Sequence, residues 1–76
     1  MDSQQPLRDN LLVTAGTRAA YMHCAGCIEL PRGIEGEAEI ALYISAVVDR
    51  YIAFDGDGNF DEYIELALTD KYGRSQ

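Results

Sequence analysis

The most regular pattern of hydrophobic and polar positions lies in the middle of the chain. Apolar residues recur there at steps of 4, 3, 4 and 3 positions, namely at Ile40, Ile44, Val47, Tyr51 and Phe54. This spacing is typical of one helix face, and the stretch without Gly or Pro exceeds the usual strand length of about 3 to 10 residues. The pattern therefore predicts a helix over residues 37–54, preceded by a linker at residues 31–36.

A second helix is predicted near the C-terminus. Asn59 is a suitable cap, and Glu62, at the third helical position, completes a pair that resembles a capping box. Gly73 follows Lys71 as a C-terminal stop. One face of this helix would be apolar, formed by Phe60, Ile64, Ala67 and Leu68. A hairpin, in which residues 51–54 pair with residues 60–68, is the alternative.

The N-terminal part has a less regular pattern. Gly16 and Gly26 divide it into apolar pieces at residues 11–14, 19–23 and 28–30, which predicts a small antiparallel meander. A helix is the competing interpretation, with Asp9 or Asn10 as its cap and Gly26 as its terminator. It rests on four residues at helical spacing: Leu12, Ala15, Ala19 and Met22.

These elements predict a small α+β domain with short N-terminal antiparallel strands and two C-terminal helices; an all-α three-helix arrangement is the alternative. Residues 1–9 are expected to be a flexible lead-in, residues 10–73 one compact domain and residues 74–76 a tail. A chain of 76 residues buries only about 60% of its unfolded surface. An enclosed pocket of about 300 Å³ or more would use much of its core.

The charge of the chain is concentrated in its second half. The net charge is −7, and residues 37–70 carry nine acidic residues against Arg50 alone. Such a field disfavours direct contact with nucleic acid or an anionic membrane and favours a basic protein partner. Tyrosines, which are favoured at interfaces, are interleaved with these acids. The predicted binding surface consists of Asp55, Asp57, Asp61, Glu62, Glu65, Tyr51, Tyr63 and Tyr72.

The acidic loop is also a candidate metal site. Residues 55–59, Asp-Gly-Asp-Gly-Asn, resemble the first five positions of the EF-hand calcium loop, in which oxygen ligands alternate. Phe60 stands where that loop has Gly, and Glu65 comes one position before its bidentate Glu. The resemblance would make Asp55, Asp57, Asn59 and Glu65 the calcium ligands.

A second candidate metal site is the Cys24 and Cys27 pair. Two thiolates at this spacing form half of a tetrahedral zinc site. The chain has no second pair, and its only histidine, His23, directly precedes Cys24. We expect two reduced thiols in a tight turn, with zinc binding as the alternative.

The sequence predicts a cytoplasmic, non-enzymatic protein without a cofactor. The N-terminus lacks the basic and apolar regions of a secretory signal, and no stretch has the roughly 18 apolar residues of a membrane span. No Gly-rich phosphate loop or nucleophile motif is present.

The predicted function is that of a small acidic module that binds a basic surface on a partner protein, for example a phage-type inhibitor that occludes nucleic-acid-binding machinery. The alternative is a small metal-binding domain. The helix over residues 37–54 is apolar over about half of its circumference, and Leu42 lies on its back. This predicts a homodimer.

Overall fold

The computed structural model describes residues 5–55 and 58–74. In these residues the chain forms three α-helices: α1 (Gln5–Ala25), α2 (Gly33–Arg50) and α3 (Phe60–Tyr72). A π-helical turn at Tyr51–Asp55 continues α2. The predicted α+β fold is wrong, because the described part of the chain contains no β-strand, and the all-helical alternative has the observed architecture.

The predicted N-terminal meander is α1. Ala15, Ala19 and Met22 are buried on one face of this helix, at the spacing on which the helical interpretation rests. Gly16 lies on its exposed side. A glycine costs about 1 kcal/mol in a helix interior, and the burial of neighbouring alanines against two other helices offsets that cost.

Different local features start and terminate α1. Pro6 stands in the first turn, where its missing N–H leaves no helical hydrogen bond unmade. Gly26 has a φ of 83°, and it terminates the helix as the alternative interpretation predicts. Its N–H donates to the His23 carbonyl at 3.1 Å, and the Cys27 N–H donates to the Met22 carbonyl at 2.9 Å. This pair of bonds is a Schellman motif.

Helix α2 begins four residues earlier than predicted, so four of the six residues of the expected linker, 33–36, are helical. Gly36, which the sequence pattern assigned to the linker, is buried in the first turn of α2. A Cβ at this position would lie 2.6 Å from the carbonyl carbon of Pro31. Glycine is required here by packing, and it does not mark a loop.

The apolar face of α2 is formed by Ile44, Val47 and Tyr51, all of them buried as the spacing predicts. Phe54, the last member of that series, is exposed. It lies in the π-helical turn, where hydrogen bonds span five residues and each turn takes more residues than in an α-helix. The side chain of Phe54 is therefore rotated away from the core.

Helix α3 has the bounds and the cap that the sequence predicts. The Asn59 side chain accepts a hydrogen bond from the Glu62 N–H at 3.4 Å. Gly73 is the C-terminal cap, and its N–H donates to the Thr69 carbonyl at 2.8 Å. The hairpin alternative for this segment is wrong.

The core lies between α1, which packs against both other helices, and the inner faces of α2 and α3. The segment after α1 contributes Ile28, whose backbone forms a single bridge to Gly73. The described residues extend over 42 × 26 × 16 Å, and the shortest of these dimensions is less than two helix diameters of 10–12 Å. The outer faces of the helices are therefore open to solvent. The buried apolar residues are Ala15, Ala19, Met22, Ile28, Ile44, Val47, Val48, Tyr51, Phe60, Ile64, Leu68 and Tyr72.

Candidate interaction surfaces

Two of the three tyrosines predicted to line the binding surface belong to the core. Tyr51 is buried, and its ring lies 4.9 Å from the ring of Phe60 and 5.2 Å from that of Tyr63. Its hydroxyl donates to the Gly58 carbonyl. Tyr72 is also buried, and Tyr63 is half-buried beside Tyr51. These aromatic rings join α2 to α3, and Tyr63 alone keeps a partly exposed ring.

The Tyr72 hydroxyl connects α3 to the start of α2. It donates to a carboxylate oxygen of Glu39 at 3.2 Å. The Tyr43 ring meets the Tyr72 ring edge-on at 5.7 Å, and the Tyr43 hydroxyl donates to the Ala67 carbonyl at 2.8 Å. Burial raises the pKa of Tyr72 to about 12, with a further contribution from the bond to Glu39. Burial also raises the pKa of Tyr43.

These pKa values predict a loss of stability at high pH. The folded-state pKa of Tyr72 is above its ordinary value of 10.0, so its contribution to stability is complete below pH 10 and is lost as the pH rises towards 12. We expect the melting temperature of the native chain to fall more steeply over this interval than that of Tyr72→Phe, which keeps the ring but cannot ionise. Equal slopes in thermal melts would contradict this expectation.

The predicted acidic residues fall into separate groups. Arg18 of α1 pairs with Glu65 at 3.2 Å and with Asp61 at 3.8 Å. Glu62 is exposed in the first turn of α3. Asp57 and the side chain of Asp55 lie outside the described residues. The structure thus brings Asp61 and Glu65 together around the Arg18 guanidinium, which partly neutralises their charge at the surface.

The candidate calcium ligands within the described residues have other partners. The Asn59 side chain caps α3, and Glu65 pairs with Arg18. Of the other two candidate ligands, Asp57 and the side chain of Asp55 lie outside the described residues. Among the residues that the structure describes, no three His, Cys, Asp or Glu side chains are grouped as a metal site would need.

The candidate zinc pair lies at the end of α1. Cys24 and Cys27 are free and exposed thiols on either side of the Gly26 turn. His23 directs its Nδ1 atom to the Leu30 N–H, from which it accepts a hydrogen bond at 3.3 Å. His23 therefore helps to hold the segment between α1 and α2.

The outer side of α2 carries an exposed leucine between acidic residues. Leu42 is 74% exposed. On a helix, residues three, four and seven positions away share its face. These residues define what we name the Leu42 face: Glu35, Ala38, Glu39, Leu42, Ser45, Ala46 and Asp49.

An ion pair borders the Leu42 face on the side of α1. Arg8 donates from Nε to Asp49 at 2.7 Å and from an η nitrogen to Ser45 Oγ at 2.7 Å. The hydrogen bond from Arg8 lowers the pKa of the Asp49 carboxyl. Glu35 has no ion pair within the described ranges. The negative charge of the face is therefore concentrated at Glu35 and Glu39, at the N-terminal end of α2.

Comparisons with known proteins identify no relative. The chain matches no protein-family model, no curated protein and no solved structure. In the part of the chain that the structure describes, no helix combines the length and the apolar character that crossing a membrane requires.

The sequence pattern singled out Leu42 but did not indicate which acids surround it. That grouping depends on which side of α2 faces the core, and hence on Ile44, Val47 and Val48 being buried together. The sequence pattern did not indicate the outer face of α1, because it favoured strands over a helix for that segment. The available signal was charge: between Asn10 and Ile28 the only charged residue is Arg18.

Proposed function

We propose that this protein is a small non-enzymatic interaction module that binds a basic surface on a partner protein through the Leu42 face. The observation that carries the proposal is the exposure of Leu42 between acidic side chains, with Glu35 unpaired among the described residues. An isolated exposed leucine needs no explanation. An exposed leucine within a patch of carboxylates is suited to a partner that offers both an apolar pocket and cations.

The chemistry of the face defines the partner. Ala38 and Ala46 lie one turn before and after Leu42 and have small side chains, so Leu42 projects as a single apolar knob. Binding energy at interfaces is concentrated in a few well-buried residues with polar groups around them. Glu35 and Glu39, one turn apart, would face Lys or Arg side chains on the partner. The net charge of −7 would accelerate the encounter with a basic surface.

The same chemistry suits an inhibitor of nucleic-acid-binding machinery. Carboxylates placed at intervals along a rigid helix can occupy cationic sites that otherwise hold phosphates. The partner would then be a protein whose basic groove binds DNA or RNA, and the module would compete with that nucleic acid.

The test is a comparison of substitutions against a partner captured from native lysate and then purified. Glu35→Lys and Leu42→Ser are each expected to weaken binding at least about tenfold, since each removes one element of the face. Binding of the native chain should also weaken as salt rises above about 0.15 M, because exposed charges are screened over roughly 8 Å there. Dissociation constants are measured by calorimetry.

The matched control is Asp70→Lys, which changes the net charge by the same amount on another helix. Asp70 is exposed on α3, outside the Leu42 face. We expect this variant to bind nearly as well as the native chain. If Glu35→Lys, Leu42→Ser and Asp70→Lys bind equally well, the Leu42 face is not the binding surface.

A further inference from the structure

The outer face of α1 carries no charged residue over more than four turns. Thr17 lies near its centre and is exposed. The positions three, four and seven residues to either side of Thr17 are all uncharged, and most are exposed. Together they define what we name the Thr17 face: Asn10, Val13, Thr14, Thr17, Ala20, Tyr21 and Cys24. Arg18, beside it, points to the acids of α3.

The arrangement of large and small residues on this face is symmetric about Thr17. Val13 and Tyr21 are 69% and 64% exposed, and each lies one turn from Thr17. When two such helices pack antiparallel about a two-fold axis at Thr17, Val13 of one copy meets Tyr21 of the other. Thr14 meets Ala20 in the same way. A two-fold interface needs a self-complementary patch of this kind.

A recess lies beside the same residues. It has a volume of about 450 Å³ between α1 and the start of α3. A side chain projecting from a second copy, such as its Val13 or Tyr21, would find room there. The face thus has both projections and a space to receive them. The recess is lined by Val13, Thr14, Thr17, Arg18, Tyr21 and Asp61.

Charge decides which face a second copy can occupy. Each molecule carries −7, so two copies repel each other wherever their acids meet. A pair centred on Leu42 would bring Glu35 and Glu39 of both copies, four carboxylates in all, into one interface. The corresponding pair centred on Thr17 brings no charged residue of α1 into register with another.

We propose that the protein forms an antiparallel homodimer through the Thr17 face. The sequence pattern located the dimer contact at Leu42; the distribution of charge favours α1 and leaves the Leu42 face to a basic partner. This proposal does not depend on the proposed function. Opposed helix dipoles also favour the antiparallel orientation.

The size of the face sets the strength of the dimer. A standard interface buries about 800 Å² per partner, which is about 15% of the 5400 Å² surface of the described residues. A helix of 21 residues is only about 31 Å long, and one face of it provides less than that area. We therefore expect a weak, concentration-dependent dimer in the micromolar range, like other interfaces below the standard size.

Sedimentation equilibrium of the full chain tests the proposal. The native chain should shift from 8.4 kDa towards twice that mass as concentration rises from about 10 µM to about 1 mM, the range in which small interfaces associate. Thr17→Glu places two like charges at the two-fold axis and should abolish the shift. Leu42→Glu adds the same charge to the other face and should preserve it.

Both variants replace an exposed residue by a good helix former, so far-UV circular dichroism should show unchanged helix content. A native chain that remains monomeric over the whole range would overturn the proposal. So would a dimer that Leu42→Glu abolishes and Thr17→Glu leaves intact.

A charge-pair variant tests the orientation. Asn10 and Cys24 lie seven residues on either side of Thr17, so an antiparallel pair places Asn10 of one copy opposite Cys24 of the other. The double substitution Asn10→Lys with Cys24→Glu should then strengthen the dimer about three- to fivefold, as two exposed ion pairs would. In a parallel pair the new lysines would face each other and weaken the dimer, which would rule out the antiparallel arrangement.

Discussion

Leu68→Ala is expected to lower the free energy of unfolding by about 2–5 kcal/mol, because deleting a fully buried leucine side chain loses its transfer energy and leaves a cavity. Leu68 has no exposed surface and lies on the inner face of α3. A domain of this size has a total stability of only about 5 kcal/mol or somewhat more. The substitution should therefore remove a large part of that stability, which urea titration followed by far-UV circular dichroism would detect as a lower midpoint.

Leu66→Ala is the matched control for this prediction. Leu66 lies two residues away on the same helix and is 67% exposed. The same deletion of side-chain atoms should change the stability by no more than about 0.5 kcal/mol, because alanine is the best helix former and no cavity results. Similar losses of stability at both positions would mean that Leu68 is no more buried than Leu66.

Gly36→Ala and Gly16→Ala are expected to have opposite effects on stability. Both glycines lie within helices, where replacing Gly with Ala ordinarily stabilises by about 1 kcal/mol. At Gly16 no atom lies within 4 Å of the added Cβ, so that gain should be realised. At Gly36 the added Cβ would lie 2.6 and 2.8 Å from the backbone carbon and oxygen of Pro31, and backbone cannot yield as a flexible side chain can.

We therefore expect Gly36→Ala to destabilise the protein by about 1–3 kcal/mol, the usual cost of overpacking, while Gly16→Ala raises the melting temperature. Thermal melts of both variants beside the native chain measure the difference. Stabilisation by Gly36→Ala would show that residues 31–36 form a loop free to move away from α2, as the sequence pattern alone suggests.

The two proposed surfaces are compatible with each other. The Thr17 face belongs to α1 and the Leu42 face to α2, so a homodimer through α1 leaves both copies of the Leu42 face accessible. A dimer would then present two copies of the Leu42 face. Linked binding events of this kind can raise the apparent affinity for a partner with two basic sites by 10²–10⁴ without any new contact. Loss of the dimer in Thr17→Glu would remove that gain without altering the Leu42 face.

Local signals predicted α3 because its ends are determined by nearby residues. Asn59, Glu62 and Gly73 act within one turn of the helix ends that they define. The centre of α2 was likewise predictable, since its spacing of apolar residues is unambiguous. The helix α1 was not predictable in this way. Two glycines lie in its segment, and the sequence does not show that Gly26 ends the helix whereas Gly16 lies inside it. Gly26 needs its positive φ, whereas Gly16 is an ordinary helical residue.

The candidate surfaces were only partly predictable, because composition does not show which side chains are buried or paired. Composition alone indicates that the chain is acidic and rich in tyrosine. It does not indicate that Tyr51 and Tyr72 are buried, or that Arg18 lies between Asp61 and Glu65. These facts depend on contacts between residues far apart in the chain.

The sequence by itself determined the helical character of residues 37–54 and 60–72, the caps of α3 and the net charge of −7. It also placed Leu42, an apolar residue, on the face of the helix opposite its apolar seam. These properties follow from local spacing, backbone preferences and counting. Tertiary structure alone decided that residues 5–25 form a helix, because burying Ala15 and Ala19 against α2 and α3 outweighs the cost of Gly16. It also decided which charges are paired, since the ion pairs of Arg8 with Asp49 and of Arg18 with Glu65 each require two helices to meet.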